Sequence, residues 1–176
     1  SRVLSLAYHP TNPQIFMGLA DGTIRCINEK TGSSIFRMTG DIVRGMPTMI
    51  WSLIVLTDST VATGDNMGRL QIWDGTTGVL ISTIDQHTAD VLCIAASNDE
   101  NSIFASGIDS KVICVRRVSQ AEMNGTGESG RKRSGSVDSR GGSPSDSAWI
   151  YTTAMRPHTH DVYALAVCTA RAAPPN

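Results

Sequence analysis

Apolar and polar positions along the chain fall into short alternating runs, and one run recurs four times. Val3-Leu-Ser-Leu-Ala7, Ile50-Trp-Ser-Leu-Ile54, Val91-Leu-Cys-Ile-Ala95 and Val162-Tyr-Ala-Leu-Ala166 share one pattern, at intervals of 47, 41 and 71 residues. Alternation of this kind predicts half-buried β-strands. The first unit predicts strands at Arg2–Tyr8, Gln14–Gly18, Thr23–Asn28 and Ser34–Met38. Its turns are marked by Pro10 to Pro13, by Asp21-Gly22 and by Thr31-Gly32. Glycine supplies the positive φ that tight turns need, and Asp bonds the backbone just beyond it. The second unit predicts strands at Met49–Leu56, Thr60–Thr63, Arg69–Trp73 and Val79–Ile84. The third predicts Val91–Ala96, Ile103–Ala105 and Lys111–Val118, with its last strand delayed to Ala148–Ala154. Residues 120–147 intervene, rich in Ser and Gly and nearly without apolar side chains. That composition buries too little surface to order itself and predicts a disordered surface loop. Removing it restores the repeat interval. Helical periodicity is absent throughout.

Units of about 40–45 residues with four short strands each predict a β-propeller. The fold class is therefore all-β: about three four-stranded blades, plus the first strand of a fourth at Asp161–Val167. The expected organisation is blades over 1–119, the insertion over 120–147, and a final part over 148–176. That part holds the delayed strand, the fourth-blade strand and a Pro-rich end. Propellers close with about four to eight blades. The complete protein is therefore expected to be longer, or to lean on a partner.

Composition narrows the function more by exclusion than by assertion. A formal net charge of -1 offers no bulk attraction to nucleic acid or anionic membrane. No apolar run approaches the ~20 residues of a membrane-spanning helix. The first residues lack a charged head followed by an apolar stretch, and so do not read as a signal peptide. Cys26, Cys93, Cys114 and Cys168 lie in apolar runs without Cys-x-x-Cys spacing, which predicts reduced, buried thiols and no metal site. His158 and His160 beside Asp161 have no further ligand nearby in sequence, and His87 with Asp90 and Asp109 lacks a nucleophile. Gly32, Gly68 and Gly78 belong to turns, not to a phosphate-binding loop. No cofactor, small-molecule substrate or catalytic activity is expected.

Trp73-Asp74 ends a predicted strand, preceded by Gly64 at the spacing of a WD repeat, and the chain resembles the WD-repeat family. The resemblance implies a network in each blade, made by a His before the first strand, a Ser or Thr in the second, an Asp in the next turn and a Trp in the third. Asp21, Thr63, Trp73, His87, Asp109 and His158 stand at such positions. Met46 and Met67 occupy the His and Asp places of the second blade, and Ile27 and Val115 replace Trp in the first and third. No blade has all four, which implies degenerate repeats held mainly by apolar packing.

Longer strings narrow the resemblance. They are Trp51-Ser-Leu-Ile-Val-Leu-Thr-Asp58, the run from Thr63 to Gly78, Ala89-Asp-Val-Leu-Cys-Ile-Ala95, Ser106-Gly-Ile-Asp-Ser-Lys-Val112, and His158 to Ala166. Together they are similar to the cirhin family, nucleolar WD-repeat components of the small-subunit processome. The resemblance implies a non-catalytic scaffold for small-subunit pre-rRNA processing in the nucleolus of the nucleus. Its partners would be other proteins of a processome subcomplex and pre-ribosomal RNA, without a membrane. A substrate-recognition or signalling adaptor is the alternative reading of the same propeller. Arg2, Arg25, Arg44, Arg69 and Lys111 are expected to be exposed candidates for partner or RNA contact. In the insertion, Ser134 after Arg131-Lys-Arg133, and Ser143 before Pro144, are candidate phosphorylation sites that would gain ~1.5–2 negative charges.

Overall fold

The computed structural model describes residues 1–40, 42–43, 45–119 and 147–168. Blade 1 is β1 (Val3–Tyr8), β2 (Gln14–Leu19), β3 (Thr23–Asn28) and β4 (Ser34–Thr39). Two short strands, β5 (Ile42–Val43) and β6 (Met46–Pro47), form a small hairpin in the link to blade 2. Blade 2 is β7 (Ile50–Val55), β8 (Thr60–Asp65), β9 (Arg69–Asp74) and β10 (Leu80–Asp85). Blade 3 is β11 (Val91–Ala96), β12 (Ser102–Gly107), β13 (Val112–Ser119) and β14 (Ser147–Met155). Each blade is a four-stranded antiparallel meander in chain order. This is the all-β, three-blade architecture that the repeat predicts.

The repeat extends to its irregularities. A register shift falls after the first residue of the innermost strand in every blade, at Val3/Ser5, Ile50/Ser52 and Val91/Cys93. The side chains at Leu4, Trp51 and Leu92 thus occupy equivalent bulges. Bulges at fixed positions are built features, because each one bends a strand and re-aims its neighbours.

Blade 2 is packed on both faces. Its Leu53, Val55, Val61 and Trp73 join Phe16, Ile24, Cys26 and Met38 of blade 1 in one core. Ala62, Leu70, Ile72 and Ile84, from its other face, join Ile94, Ile103, Ile113, Val115 and Trp149 of blade 3 in a second. All six residues of β8 are buried. Each fully buried aliphatic or aromatic side chain contributes roughly 1.5–3 kcal/mol, so these inter-blade layers dominate stability.

Two expectations need correction. Asp161–Val167 does not form a strand. A strand of this kind needs the hairpin partner that follows it in the other blades, and the described residues contain none. Blade 3 nonetheless holds the segment at one point, where Val162 N–H donates to Gly107 O at 3.0 Å. Ser147, expected in the insertion, instead opens β14 and pairs with Ser119. The delayed strand therefore docks as the fourth of its blade. Ser134, Ser143, the rest of the insertion and the Pro-rich end lie outside the described residues.

Candidate functional site

In blade 2 the second and third strands bring Thr63 and Trp73 together. Trp73 Nε1 donates to Thr63 Oγ1 at 3.1 Å, and both residues are buried. A buried indole N–H without an acceptor would cost about 1–3 kcal/mol. The Asp place of this blade is not empty, as Met67 had suggested. Met67 is exposed, while Asp65, two residues earlier, is buried. Its carboxylate accepts from Met67 N–H at 2.8 Å, Arg69 N–H at 3.0 Å and Arg69 Nε at 2.8 Å. The sequence signal was present in Asp65 and Arg69 flanking a turn, but the WD-repeat resemblance puts Met67 at the Asp place instead.

Blade 3 holds the other half of the network. His87 Nδ1 lies 2.7 Å from Asp109 Oδ1, with the His87 side chain fully enclosed. Thr88 N–H donates to Asp109 Oδ2 at 3.0 Å, and Lys111 Nζ lies 3.2 Å from the same oxygen. Burial alone would raise the Asp109 pKa. The Thr88 amide, His87 and Lys111 outweigh it and hold the carboxyl at about 2. His87 Nε2 is buried without a hydrogen-bond partner. The register places Ala105 where blade 2 has Thr63, and Val115 where it has Trp73.

Blade 1 carries less. Asp21 Oδ1 accepts from Thr23 Oγ1 at 2.6 Å and Thr23 N–H at 3.1 Å, and the Thr23 hydroxyl is the main reason its pKa is lowered. Ile27 pairs with Ile15 in the register that gives Trp73 in blade 2. His158 is exposed. Met46 belongs to β6, and its side chain lies outside the described set.

The expected contact residues divide. Arg2 and Arg25 are exposed. Arg69 and Lys111 are not: each side chain is only 13% exposed, the first against Asp65 and the second against Asp109 and Gln86 O. Alternation alone had placed them outward, but a carboxylate in the adjacent turn folds each back. Arg44 lies outside the described residues. Among the described residues no three His, Cys, Asp or Glu side chains are grouped to hold a metal ion.

Two sets of inter-blade links are not legible in the motifs. At the centre, Ser5 Oγ donates to Ile50 O at 3.1 Å and Ser52 Oγ to Val91 O at 2.9 Å. Cys93 Sγ, at the matching place, lies 3.4 Å from Val162 O. Gly64 permits the approach, since a Cβ there would lie 2.5 Å from both Ser52 Oγ and Val91 Cγ1. At one end of the blades, the β1–β2, β7–β8 and β11–β12 turns are joined in series. His9 is buried and accepts Thr11 N–H and Asn12 N–H at Nδ1, while its Nε2 lies 2.9 Å from Ser59 Oγ. Glu100 accepts Thr57 N–H at 3.0 Å. Ser59 and Glu100 both adopt left-handed φ, +69° and +55°, a strain of roughly 1 kcal/mol or more each for such residues. Both strained residues are the ones that reach back to the preceding blade.

Blades of this construction, meandering strands with Thr–Trp and His–Asp pairs, are WD repeats. The WD domain, G-beta repeat family matches residues 1–28 and 78–115. The structure titled "Structure of U3-55K" superposes with a TM-score of 0.67 at 15% identity, covering 92% of this chain and 41% of that one, which shows the fold. The chain is also homologous to named proteins. It is 31% identical over 170 residues to U3 small nucleolar RNA-associated protein 4 of Schizosaccharomyces pombe, covering 95% of this chain and 20% of that protein. It is 29% identical over 170 residues to the U3 small nucleolar RNA-associated protein 4 homolog of Mus musculus, covering 94% and 22%. The chain thus spans about a fifth of the length of these curated relatives.

Proposed function

We propose that this chain is a non-catalytic WD-repeat scaffold of small-subunit ribosome biogenesis, acting in pre-rRNA processing in the nucleolus. The observation that carries this reading is the match along nearly the whole chain to relatives named for association with the U3 small nucleolar RNA. The geometry is consistent with it. The polar groups that could suggest chemistry, His87 with Asp109 and Asp65 with Arg69, are enclosed and bonded to one another. The blades present turns and edges on a rigid frame, as a docking protein needs. Its partners are then proteins of a processome subcomplex, with pre-ribosomal RNA as a second ligand.

The test is affinity purification of the tagged protein from nucleolar extract. Enrichment of U3 RNA and small-subunit processing proteins is expected, together with accumulation of unprocessed small-subunit precursor on depletion. Recovery of a ubiquitin ligase or signalling complex with unchanged precursor would replace this reading with an adaptor role.

A further inference from the structure

Between their outer strands, at the end that carries the β7–β8 and β9–β10 turns, blades 2 and 3 leave a cavity of about 200 Å³. Blade 2 lines it with Asp58, Thr60, Asp74 and Ile81, and blade 3 with Arg117 and Trp149. Register brings the two carboxylates together. Thr60 is the cross-strand partner of Asp74, and Asp58 stands two residues before Thr60, accepting its N–H at 3.0 Å. Arg117 closes the inner wall. Its Nη1 lies 2.6 Å from Asp58 Oδ2, and its guanidinium stacks 4.7 Å from the centre of the Trp149 ring. Both faces of its chemistry are therefore engaged.

Two carboxylates against one committed guanidinium leave the cavity with a net negative charge. Burial would raise both carboxyls, but the Thr60 amide and Arg117 hold Asp58 below the usual carboxylate range, and the Thr77 hydroxyl with the Thr76 and Thr77 amides hold Asp74 below it. Asp58 keeps a side chain 43% exposed, so one carboxylate faces the opening. Ile81, an exposed apolar residue at the register shift between Leu80 and Ser82, lines the cavity beside these carboxylates. None of these residues belongs to the Thr–Trp or His–Asp pairs.

We propose that this inter-blade groove receives a Lys or Arg side chain from an extended, apolar-flanked segment of a partner protein. A cation balances the one carboxylate charge that Arg117 leaves over, and an apolar neighbour of that cation covers Ile81. A nucleic-acid backbone is disfavoured, because its phosphates would meet Asp58 and Asp74. The chemistry of the groove stands independently of which assembly the chain joins.

The probe is the capped tripeptide leucyl-arginyl-leucine amide, titrated into the isotopically labelled chain and followed by amide and indole shifts. Saturable shifts at Ile81, Ser147 and Trp149 are expected, weakening as salt rises. The glutamate tripeptide should give none. Asp58→Asn with Asp74→Asn should weaken binding roughly tenfold or more. Asn retains the turn acceptor, so the fold has a built-in control. Ile81→Arg, at an exposed position, should abolish binding by placing a guanidinium of the chain itself there. Replacing Arg131, Lys132 and Arg133 by serine should leave the affinity unchanged. Shifts of equal size with the glutamate peptide, or no shift at all, would overturn the proposal. So would a gain of about tenfold on removing the 131–133 charges, which would assign the groove to the basic stretch of this chain.

Discussion

Blades 2 and 3 divide one network between them. Blade 2 has the Thr63–Trp73 pair and, at its turn, an Asp65–Arg69 pair. Blade 3 has the His87–Asp109 pair, with Ala105 and Val115 where the hydroxyl and indole would be. Both blades keep the same register and bulges despite this difference. The two halves are therefore separable solutions to separate problems. The Thr–Trp half fills a hydrophobic interface and satisfies one indole N–H. The carboxylate half pins the turn between second and third strands, and either Arg69 or His87 with Lys111 can neutralise it. Burying a charge demands partners, but not one particular partner.

The strongest test removes Trp73. Trp73→Ala should cost about 4 kcal/mol in urea unfolding, because it empties the interface between blades 1 and 2. Asp109→Asn should cost about 3 kcal/mol, since it breaks a buried pair while leaving His87 and Lys111 in place. Combined, the two losses should add to within about 0.5 kcal/mol; a larger coupling would show that the halves are not separable.

Acid probes the same difference without mutation. Asp109 titrates at about 2 when folded, below the 3.8 of an ordinary aspartate. Its contribution, about 2 kcal/mol, is present above about pH 4 and is lost as pH falls through 2. Melting curves across this range should flatten in Asp109→Asn.

Two smaller substitutions refine the picture. Thr63→Val keeps the shape but removes the indole acceptor, and should cost about 1–2 kcal/mol. Ala105→Ser puts a hydroxyl at the register position that Thr63 holds in blade 2, in the blade where His87 Nε2 is buried without a partner, and should add about 1 kcal/mol by thermal unfolding. A loss there would show that Ala105 is placed for packing alone.

Much of the fold is legible because its signals are local. Asp21-Gly22, Asp65 to Gly68 and Asp74 to Gly78 punctuate runs of period two, and the strands fall where those turns leave room. The Thr63–Trp73 and His87–Asp109 positions are legible through the resemblance to the WD-repeat family, which implies where in each blade they stand. Asp65 escaped because its partner is chosen by side-chain reach and not by spacing. His9 escaped because a His beside Pro10 reads as a solvated turn, while its burial depends on Ser59 in the next blade. The exposure of Arg69 and Lys111 was misjudged for a related reason: alternation gives a direction, but a nearby carboxylate sets where a long side chain ends. The 161–167 run was legible as strand pattern, yet pairing needs a partner that pattern cannot supply.

The hydroxyl-to-carbonyl links at the centre have a consequence for growth of the molecule. Ser5 and Ser52 each reach from one innermost strand to the next, and Cys93 reaches Val162 in the segment that follows, so the rotation from blade to blade is fixed at the hub. The stretch between Ser119 and Ser147 enters at the rim, between the third and fourth strands of its blade. Residues can therefore be gained or lost at the circumference without altering the pitch of the wheel. A change at the hub, by contrast, would be passed to every spoke that follows.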